Sequence, residues 1–268
     1  MRQQSSLARL LASAALTAIL AAGLGGCQTM SDVTGSLTPK SESGPDADPR
    51  RQAEIYGERY RANPKDADAA LAYGQALRAT GQRAQAAAVL EQATIAHPGN
   101  KALLAAYGRA LADNGNFQQA FDVLSRAHSP DDPDWRILSV QGTALDQLGR
   151  HEEARRYYAS ALKIAPDEPS VLSNLGLSYV LSRDLPKAEA ALRQAYASGK
   201  ADARVRQNLG LVVGLQGRFA EAEGIVKADL PADKAAANVA YLKQMLSRKD
   251  NPRKGAASVP MASLNRPD

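Results

Sequence analysis

Apolar side chains between residues 50 and 247 recur three and four positions apart, which is the spacing of amphipathic helices. Tyr73 precedes Leu77 at this spacing, and Leu172 precedes Leu175 in the same way. Such spacing collects the apolar residues of each segment on one face, where they pack against a neighbouring helix. The pattern therefore predicts an all-α chain.

Small residues impose a second, longer period on this pattern. Glycine recurs every 34 residues and alanine follows each glycine after twelve, at Gly74, Gly108, Gly142, Gly176, Gly210, Ala86, Ala120, Ala154, Ala188 and Ala222. A further glycine marks the loop of four units, at Gly81, Gly115, Gly149 and Gly217, and Arg183 is the exception. Small residues let two helix backbones approach closely where they cross. We therefore expect five pairs of helices.

A period of 34 residues with these small positions resembles the tetratricopeptide repeat, a helix-turn-helix unit. The repeats begin at Ala67, Lys101, Trp135, Pro169 and Ala203. Residues 50–62 resemble the second helix of an incomplete earlier repeat, and residues 232–247 predict a closing helix. The predicted fold class is all-α, a solenoid of about five helix-turn-helix repeats with flanking helices over residues 50–248.

The first 26 residues have the features of an export signal. Arg2 and Arg9 precede an apolar run over residues 10–24, which is shorter than a membrane-spanning helix. The segment closes with Leu24, Gly25, Gly26 and Cys27, which resemble the lipobox of bacterial lipoproteins. The alternative is an ordinary cleavage site with a cysteine nearby by chance.

The lipobox resemblance implies that residues 1–26 are removed and that Cys27 carries the lipid. Gln28, which follows the cysteine, implies sorting to the outer membrane with the protein facing the periplasm. Several acyl chains on one residue anchor a protein stably, whereas one chain alone does not. Residues 27–49 are rich in Ser, Thr, Gly, Pro and Asp and predict a flexible tether. Residues 249–268 predict a disordered tail.

Charge and cysteine content exclude several kinds of partner and site. The formal net charge is +5, and it falls to +3 when Arg2 and Arg9 are removed. Because this mild excess forms no concentrated basic face, we expect no nucleic-acid partner. Cys27 is the only cysteine in the sequence, which excludes an internal disulfide and a cysteine-based metal site.

Patterns typical of catalysis are weak. His97, His128 and His151 fall in three separate repeats, so we expect them at the surface and predict no metal site. Ser160 and Lys163 form an S-x-x-K pattern, but the sequence lacks the companion elements of penicillin-interacting enzymes. We therefore predict a binding protein, not an enzyme, with no cofactor.

In the tetratricopeptide architecture the first helix of each repeat lines the concave side. The candidate peptide-binding residues on that side are Arg109, Arg136, Asn174, Leu177, Leu181, Arg204, Asn208, Leu211 and Leu215, and Gln75, Arg78 and Asp146 occupy comparable places. The asparagine amides suit an extended peptide backbone, the leucines an apolar ligand and the arginines a carboxylate. The alternatives are that asparagine is a consensus residue of the repeat with no role in binding and that the leucines pack against a neighbouring helix.

The export signal, lipobox, tether, repeats and closing helix together resemble TadD, the lipoprotein family of the Tad (tight adherence, Flp-type pilus) assembly system. Residues 210–223, 229–231 and 236–246 carry the resemblance most clearly. It implies a pilotin-like role, in which the protein helps the pilus secretin to reach, insert or assemble in the outer membrane. Expected partners are the secretin or other pilus-assembly components, and the membrane through the N-terminal lipid. The alternative is a periplasmic scaffold for another envelope machine, in cell-wall synthesis or outer-membrane protein insertion.

Overall fold

The computed structural model describes residues 48–250, and the regular secondary structure there is helical. The predicted signal segment, Cys27, and all but the inner ends of the predicted tether and tail lie outside the described residues. The chain divides into two compact units, residues 1–164 and residues 165–268. Each unit is described separately.

Unit 1 contains a short array of helical hairpins. Its described helices are α1 Pro49–Ala62, α2 Ala67–Ala79, α3 Arg83–Ala96, α4 Lys101–Asp113, α5 Phe117–Leu124, α6 Trp135–Gln147 and α7 His151–Ile164. The pairs α2–α3, α4–α5 and α6–α7 form three repeats, and α1 packs against α2. First helices also contact one another, because α4 touches both α2 and α6.

Unit 2 contains two repeats and a closing helix. Its described helices are α8 Pro169–Leu181, α9 Leu185–Ala197, α10 Ala203–Leu215, α11 Phe219–Val226 and α12 Ala232–Asp250. Helix α8 pairs with α9 and touches α10, while α12 contacts both α10 and α11. The predicted fold class, including five repeats and flanking helices, is confirmed within residues 48–250.

Capping side chains set where the first helices begin. Asp66 Oδ1 accepts hydrogen bonds from the backbone N–H groups of Asp68 and Ala69, at 2.9 and 3.1 Å. Asn100 accepts from the N–H of Leu103 at 3.1 Å. The equivalent caps of the later first helices are Asp134, Glu168 and Asp202. These acceptors satisfy N–H groups that have no partner within the helix, so the sequence fixes each start locally.

The 34-residue glycines allow the two helices of a hairpin to touch. A Cβ placed on Gly74 would lie 2.5 Å from Leu90 Cγ, and one on Gly142 would lie 2.5 Å from Tyr158 Cε1. A Cβ on Gly176 would also lie 3.2 Å from the carbonyl oxygen of Ala188. The glycine therefore meets a large side chain of the second helix and, beside it, the backbone at the repeating alanine.

The loop position between the two helices of a repeat has a left-handed backbone. Gly81, Gly149 and Gly217 have φ values of 77°, 77° and 83°. Arg183, the exception in the sequence pattern, adopts the same conformation with φ 63°. Glycine takes this conformation without strain, whereas other residues do so at a cost. The backbone of this turn is thus set by the repeat, and Arg183 conforms to it.

Candidate functional site

Four leucines occupy equivalent places on the first helices of unit 2. Leu177 and Leu181 are one helical turn apart on α8, and Leu211 and Leu215 are one turn apart on α10. All four are half-buried. Helices α8 and α10 touch, and each leucine of α8 lies 34 residues before its counterpart on α10. The four side chains therefore lie on the same side of the two helices. We call these four residues the leucine face.

The asparagines beside the leucine face are already engaged with the protein. Asn208 donates from Nδ2 to Ser173 Oγ at 2.9 Å, and Ser173 is fully buried. The bond joins α10 to α8, and it uses one of the two N–H groups of the carboxamide. Asn174 is half-buried on α8 and also interacts with its surroundings. A peptide-binding role for either residue stays a prediction.

Unit 1 carries arginines on its first helices. Arg78 of α2 donates from Nε to Asp113 Oδ2 at 2.7 Å, and Asp113 ends α4. The guanidinium of Arg136 lies over the ring of Trp135, 4.5 Å from its centroid. Arg109 of α4 is half-buried, and this burial lowers its pKa from the ordinary value. Arg78, Arg109 and Arg136 together are called the arginine cluster.

Arg204 does not belong to the arginine cluster. It lies in the first turn of α10, in unit 2, and it is exposed to solvent. The structure therefore brings Arg109 and Arg136 into one unit and places Arg204 in the other.

The interior of the third repeat corrects the sequence analysis. Asp146 was expected on the exposed face of a first helix, but only 7 % of it is exposed. It accepts hydrogen bonds from Tyr158 Oη and from His151 Nδ1, each at 2.9 Å. Burial, and then the charge of Asp146, raise the pKa of Tyr158 well above its usual value. The signal was the tyrosine itself, which replaces a leucine or valine at this place and needs a polar partner.

The histidines are half-buried and more engaged than expected. His128 Nε2 lies 3.1 Å from Gln141 Oε1, and His97 Nε2 lies 2.7 Å from the carbonyl oxygen of Lys65. Within residues 48–250, no group of three or more His, Cys, Asp or Glu side chains is placed to hold a metal ion. Ser160 and Lys163 both lie exposed on α7.

Three family profiles match the described part of the chain. The profile of the anaphase-promoting complex, cyclosome, subunit 3 matches residues 50–127. Two tetratricopeptide-repeat profiles match residues 111–177 and 173–237. Residues 111–237 are thus tetratricopeptide repeats, and the described helices have the fold of that repeat.

Solved structures share the tetratricopeptide-repeat fold. PilW, described as a widely conserved type IV pilus biogenesis factor, is 18 % identical with a TM-score of 0.63, over 72 % of this chain and 90 % of PilW. TTC0263, a thermophilic protein of Thermus thermophilus, is 22 % identical with a TM-score of 0.59, over 67 % of this chain and all of that one. In the Cut9–Hcn1 hetero-tetramer of the APC/C, an 18 % identical chain gives a TM-score of 0.62 over 77 % of this chain, which spans only 41 % of that one. The comparison with curated proteins gave no match.

Tetratricopeptide repeats are scaffolds for protein–protein interaction, and the first helices of this chain offer two faces of different chemistry. Unit 2 presents the leucine face and unit 1 presents the arginine cluster. Among residues 48–250, no helix is both long and apolar enough to cross a bilayer.

Proposed function

We propose that the protein is an outer-membrane lipoprotein, anchored by a lipid on Cys27 and facing the periplasm, that acts as a pilotin-like assembly factor and scaffold for the Tad (Flp) pilus. Its partner is the pilus secretin or another component of pilus assembly. The lipobox resemblance of residues 24–27 supports the anchor. The TadD resemblance supports the pilus role, as does the fold shared with PilW, a type IV pilus biogenesis factor.

The leucine face is the observation that carries the binding role. Leu177, Leu181, Leu211 and Leu215 are only half-buried although nothing in their residue type favours contact with water. They lie at equivalent places on two touching helices, and apolar side chains gathered in this way mark a protein-binding surface. An amphipathic or extended segment of the secretin would bury this surface.

A double charge substitution tests this surface. Leu181→Asp with Leu215→Asp places two carboxylates where the apolar ligand would lie, and each loses its hydration on binding. We expect recovery of the secretin with the affinity-purified variant to fall about tenfold or more, and surface pili to be lost. Ile95→Asp is the matched control, because Ile95 is 68 % exposed on α3, a second helix of unit 1.

The result also separates the two envelope roles. If the leucine variant keeps the secretin and assembles pili normally, the leucine face is not the binding surface. If the unaltered protein instead recovers components of cell-wall synthesis or outer-membrane protein insertion, the periplasmic-scaffold alternative replaces the pilus role. Both variants must first show the helical circular dichroism of the unaltered protein.

A second experiment tests the anchor. Cys27→Ser removes the thiol that would take the lipid, so the variant should appear as an uncleaved or soluble periplasmic form. Membrane fractionation and intact-mass spectrometry measure both features. A mature protein whose Cys27 has an unmodified mass would refute the lipid anchor.

A further inference from the structure

The arginine cluster gathers three cations on three consecutive first helices. Arg78 lies on α2, Arg109 on α4 and Arg136 at the start of α6. Helix α4 touches both neighbours, so Arg109 occupies the middle of the row. Burial lowers the pKa of Arg109 most, the charges of Arg78 and Arg136 lower it further, and those of Asp134 and Asp113 raise it. This agrees with the placement of the three arginines on touching helices.

Two of the three arginines have partners inside the protein. Asp113 holds Arg78 through the 2.7 Å ion pair. Trp135 supports Arg136 through the stacked ring, and such stacking fixes the plane of a guanidinium while leaving its N–H edge open. Asp134, the nearest other carboxylate in the sequence, caps α6 by accepting from the backbone N–H of Arg136 at 2.7 Å.

Arg109 is different, because it makes no hydrogen bond and no ion pair within residues 48–250. A half-buried guanidinium has lost part of its hydration, and the attraction of Asp134 and Asp113, which raises its pKa, offsets only part of the effect of burial. The N–H groups of Arg109 therefore stay available to an anionic ligand.

We propose that the arginine cluster binds a carboxylate-bearing, acidic segment of a partner protein, with Arg109 as the central contact. The guanidinium fork matches the two oxygens of a carboxylate and forms two parallel charge-assisted hydrogen bonds. Three arginines beside Asp113 and Asp134 leave a net charge of +1. A net positive charge attracts either anion, and the carboxylate is favoured here because its two oxygens match a single guanidinium fork and carry one charge. The proposal rests on the proposed function only in taking the ligand to be a protein.

Trp135 makes the site directly measurable, because it is the only tryptophan of the chain. The full chain, purified in detergent, is titrated with a blocked hexaglutamate peptide and separately with hexaglutamine. Trp135 emission and the anisotropy of fluorescein-labelled peptide are recorded at two salt concentrations. Hexaglutamate should change the emission and bind more weakly at high salt, since screening weakens charge pairs. Hexaglutamine should do neither.

Arg109→Gln should raise the dissociation constant for hexaglutamate about tenfold or more, which corresponds to the loss of a charge-assisted pair. Arg83→Gln is the matched control: it removes the same charge from an exposed position at the start of α3, and binding should stay within about twofold. Arg136→Gln, at an exposed position, repeats the test without risk to the core. Because Arg109 makes no direct hydrogen bond or ion pair within residues 48–250, and the repulsion from Arg78 and Arg136 opposes the attraction of Asp134 and Asp113, Arg109→Gln should change the melting temperature little.

Three results would overturn the proposal. One is unchanged binding by both Arg109→Gln and Arg136→Gln; another is an equal loss in Arg83→Gln, which would indicate non-specific attraction to a basic protein. The third is displacement of hexaglutamate by inorganic phosphate at an equal concentration of anion, because the site would then have no preference for a carboxylate over a phosphate. Lost hexaglutamate binding with normal pili in Arg109→Gln would support this site and separate it from pilus assembly. Lost pili with intact hexaglutamate binding in the Leu181→Asp, Leu215→Asp variant would support the proposed function and leave this site to its own test.

Discussion

The first helices of the two units place opposite chemistry at equivalent positions. Arg109 stands at the ninth place of its repeat in unit 1, and Leu177 and Leu211 stand at the ninth place of the two repeats in unit 2. Helices α4, α8 and α10 each have 13 residues and begin at a side-chain cap. The repeat thus fixes where the side chain stands, and the residue alone decides what the place binds. The same backbone plan therefore presents a cation at this place in unit 1 and apolar side chains in unit 2, which is why we propose different ligands for them.

The interiors of the hairpins differ in the same way. In unit 1, Tyr158 packs on Gly142 and is tied by its hydroxyl to Asp146. In unit 2 the equivalent place holds Leu192, and the strong polar contacts lie nearer the surface, where Glu189 accepts from Arg193, Gln216 and Arg218. At this place the third repeat therefore has a buried polar tie, whereas the fourth repeat has an apolar contact with ion pairs nearer the surface.

The largest expected effect tests that buried tie. Gly142→Ala adds a Cβ 2.5 Å from Tyr158 Cε1, and the ring cannot swing away without breaking its bond to Asp146. We expect a loss of about 2–3 kcal/mol in the free energy of unfolding, measured by urea titration. Gly176→Ala meets the Leu192 side chain, which has other rotamers, and its 3.2 Å approach to the Ala188 carbonyl oxygen needs a shift of only a few tenths of an ångström, so it should cost about 1 kcal/mol.

Equal losses in the two glycine variants would show that the tyrosine tie adds no rigidity. Gly142→Ala combined with Tyr158→Leu is the control, because it gives unit 1 the leucine found in unit 2. The cost of the alanine should then fall to the value found for Gly176→Ala.

The fold was predictable from the sequence because small residues recur where the two helices of each repeat must approach closely. Gly74 and Ala86 mark where two helices touch, and the spacing between them is the same in every repeat. Even the exception was informative, since Arg183 keeps the left-handed turn that glycine has elsewhere.

The burial of Asp146 was missed because its place on the first helix was expected to be exposed. None of the other residues at this place, Arg78, Ala112, Val180 and Gly214, is exposed, and Val180 and Gly214 are buried, so the place itself points toward the interior. An aspartate there needs a polar partner, which Tyr158 and His151 supply.

The candidate site was predictable by position but not by contact. The places of Arg109 and Leu211 follow from the period, whereas the bonds of Arg78 with Asp113 and of Ser173 with Asn208 did not enter the prediction. Both bonds join residues 35 positions apart. This separation is one residue more than the repeat, and it makes them neighbours on adjacent first helices. Which pairs form depends on side-chain conformations that the period does not contain.

A change of pH should have a smaller effect on stability, and the two units should lose stability at opposite ends of the pH range. In unit 2, hydrogen bonds from Arg218 above all lower the pKa of Glu189 to about 2. A carboxylate with a lowered pKa stabilises the fold above its usual titration range, so unit 2 should lose stability as the pH falls from about 4.5 toward 2. In unit 1, burial and the bond to Glu91 raise the pKa of Tyr107 to about 12. A phenol with a raised pKa stabilises the fold below about pH 10, so unit 1 should lose stability as the pH rises toward 12.

Hydrogen exchange read peptide by peptide separates the two units at pH 3, 7 and 11. Glu189→Gln should remove most of the acid response of unit 2, and Tyr107→Phe should reduce the alkaline response of unit 1. Because the Glu189 ion pairs are partly open to solvent, 1 M salt should weaken the acid effect. Identical pH responses in both units would contradict the contrast between buried ties and surface pairs.

The smallest expected effect uses the turn between the two helices of a repeat. Arg183 in unit 2 holds a left-handed conformation that costs a non-glycine residue about 1 kcal/mol, so Arg183→Gly should stabilise the fold. The added freedom of glycine in the unfolded chain offsets part of this, leaving a gain of about 0.5 kcal/mol. Gly149→Ala makes the reverse change in unit 1, where φ is 77° and no atom lies within 4 Å of the new Cβ, so its cost of about 1 kcal/mol reflects the backbone alone. Thermal melts measure the change in stability of both variants. A stabilised Arg183→Gly with a destabilised Gly149→Ala would show that the left-handed turn favours glycine in both units. A destabilised Arg183→Gly would mean that the arginine side chain holds the turn through contacts of its own.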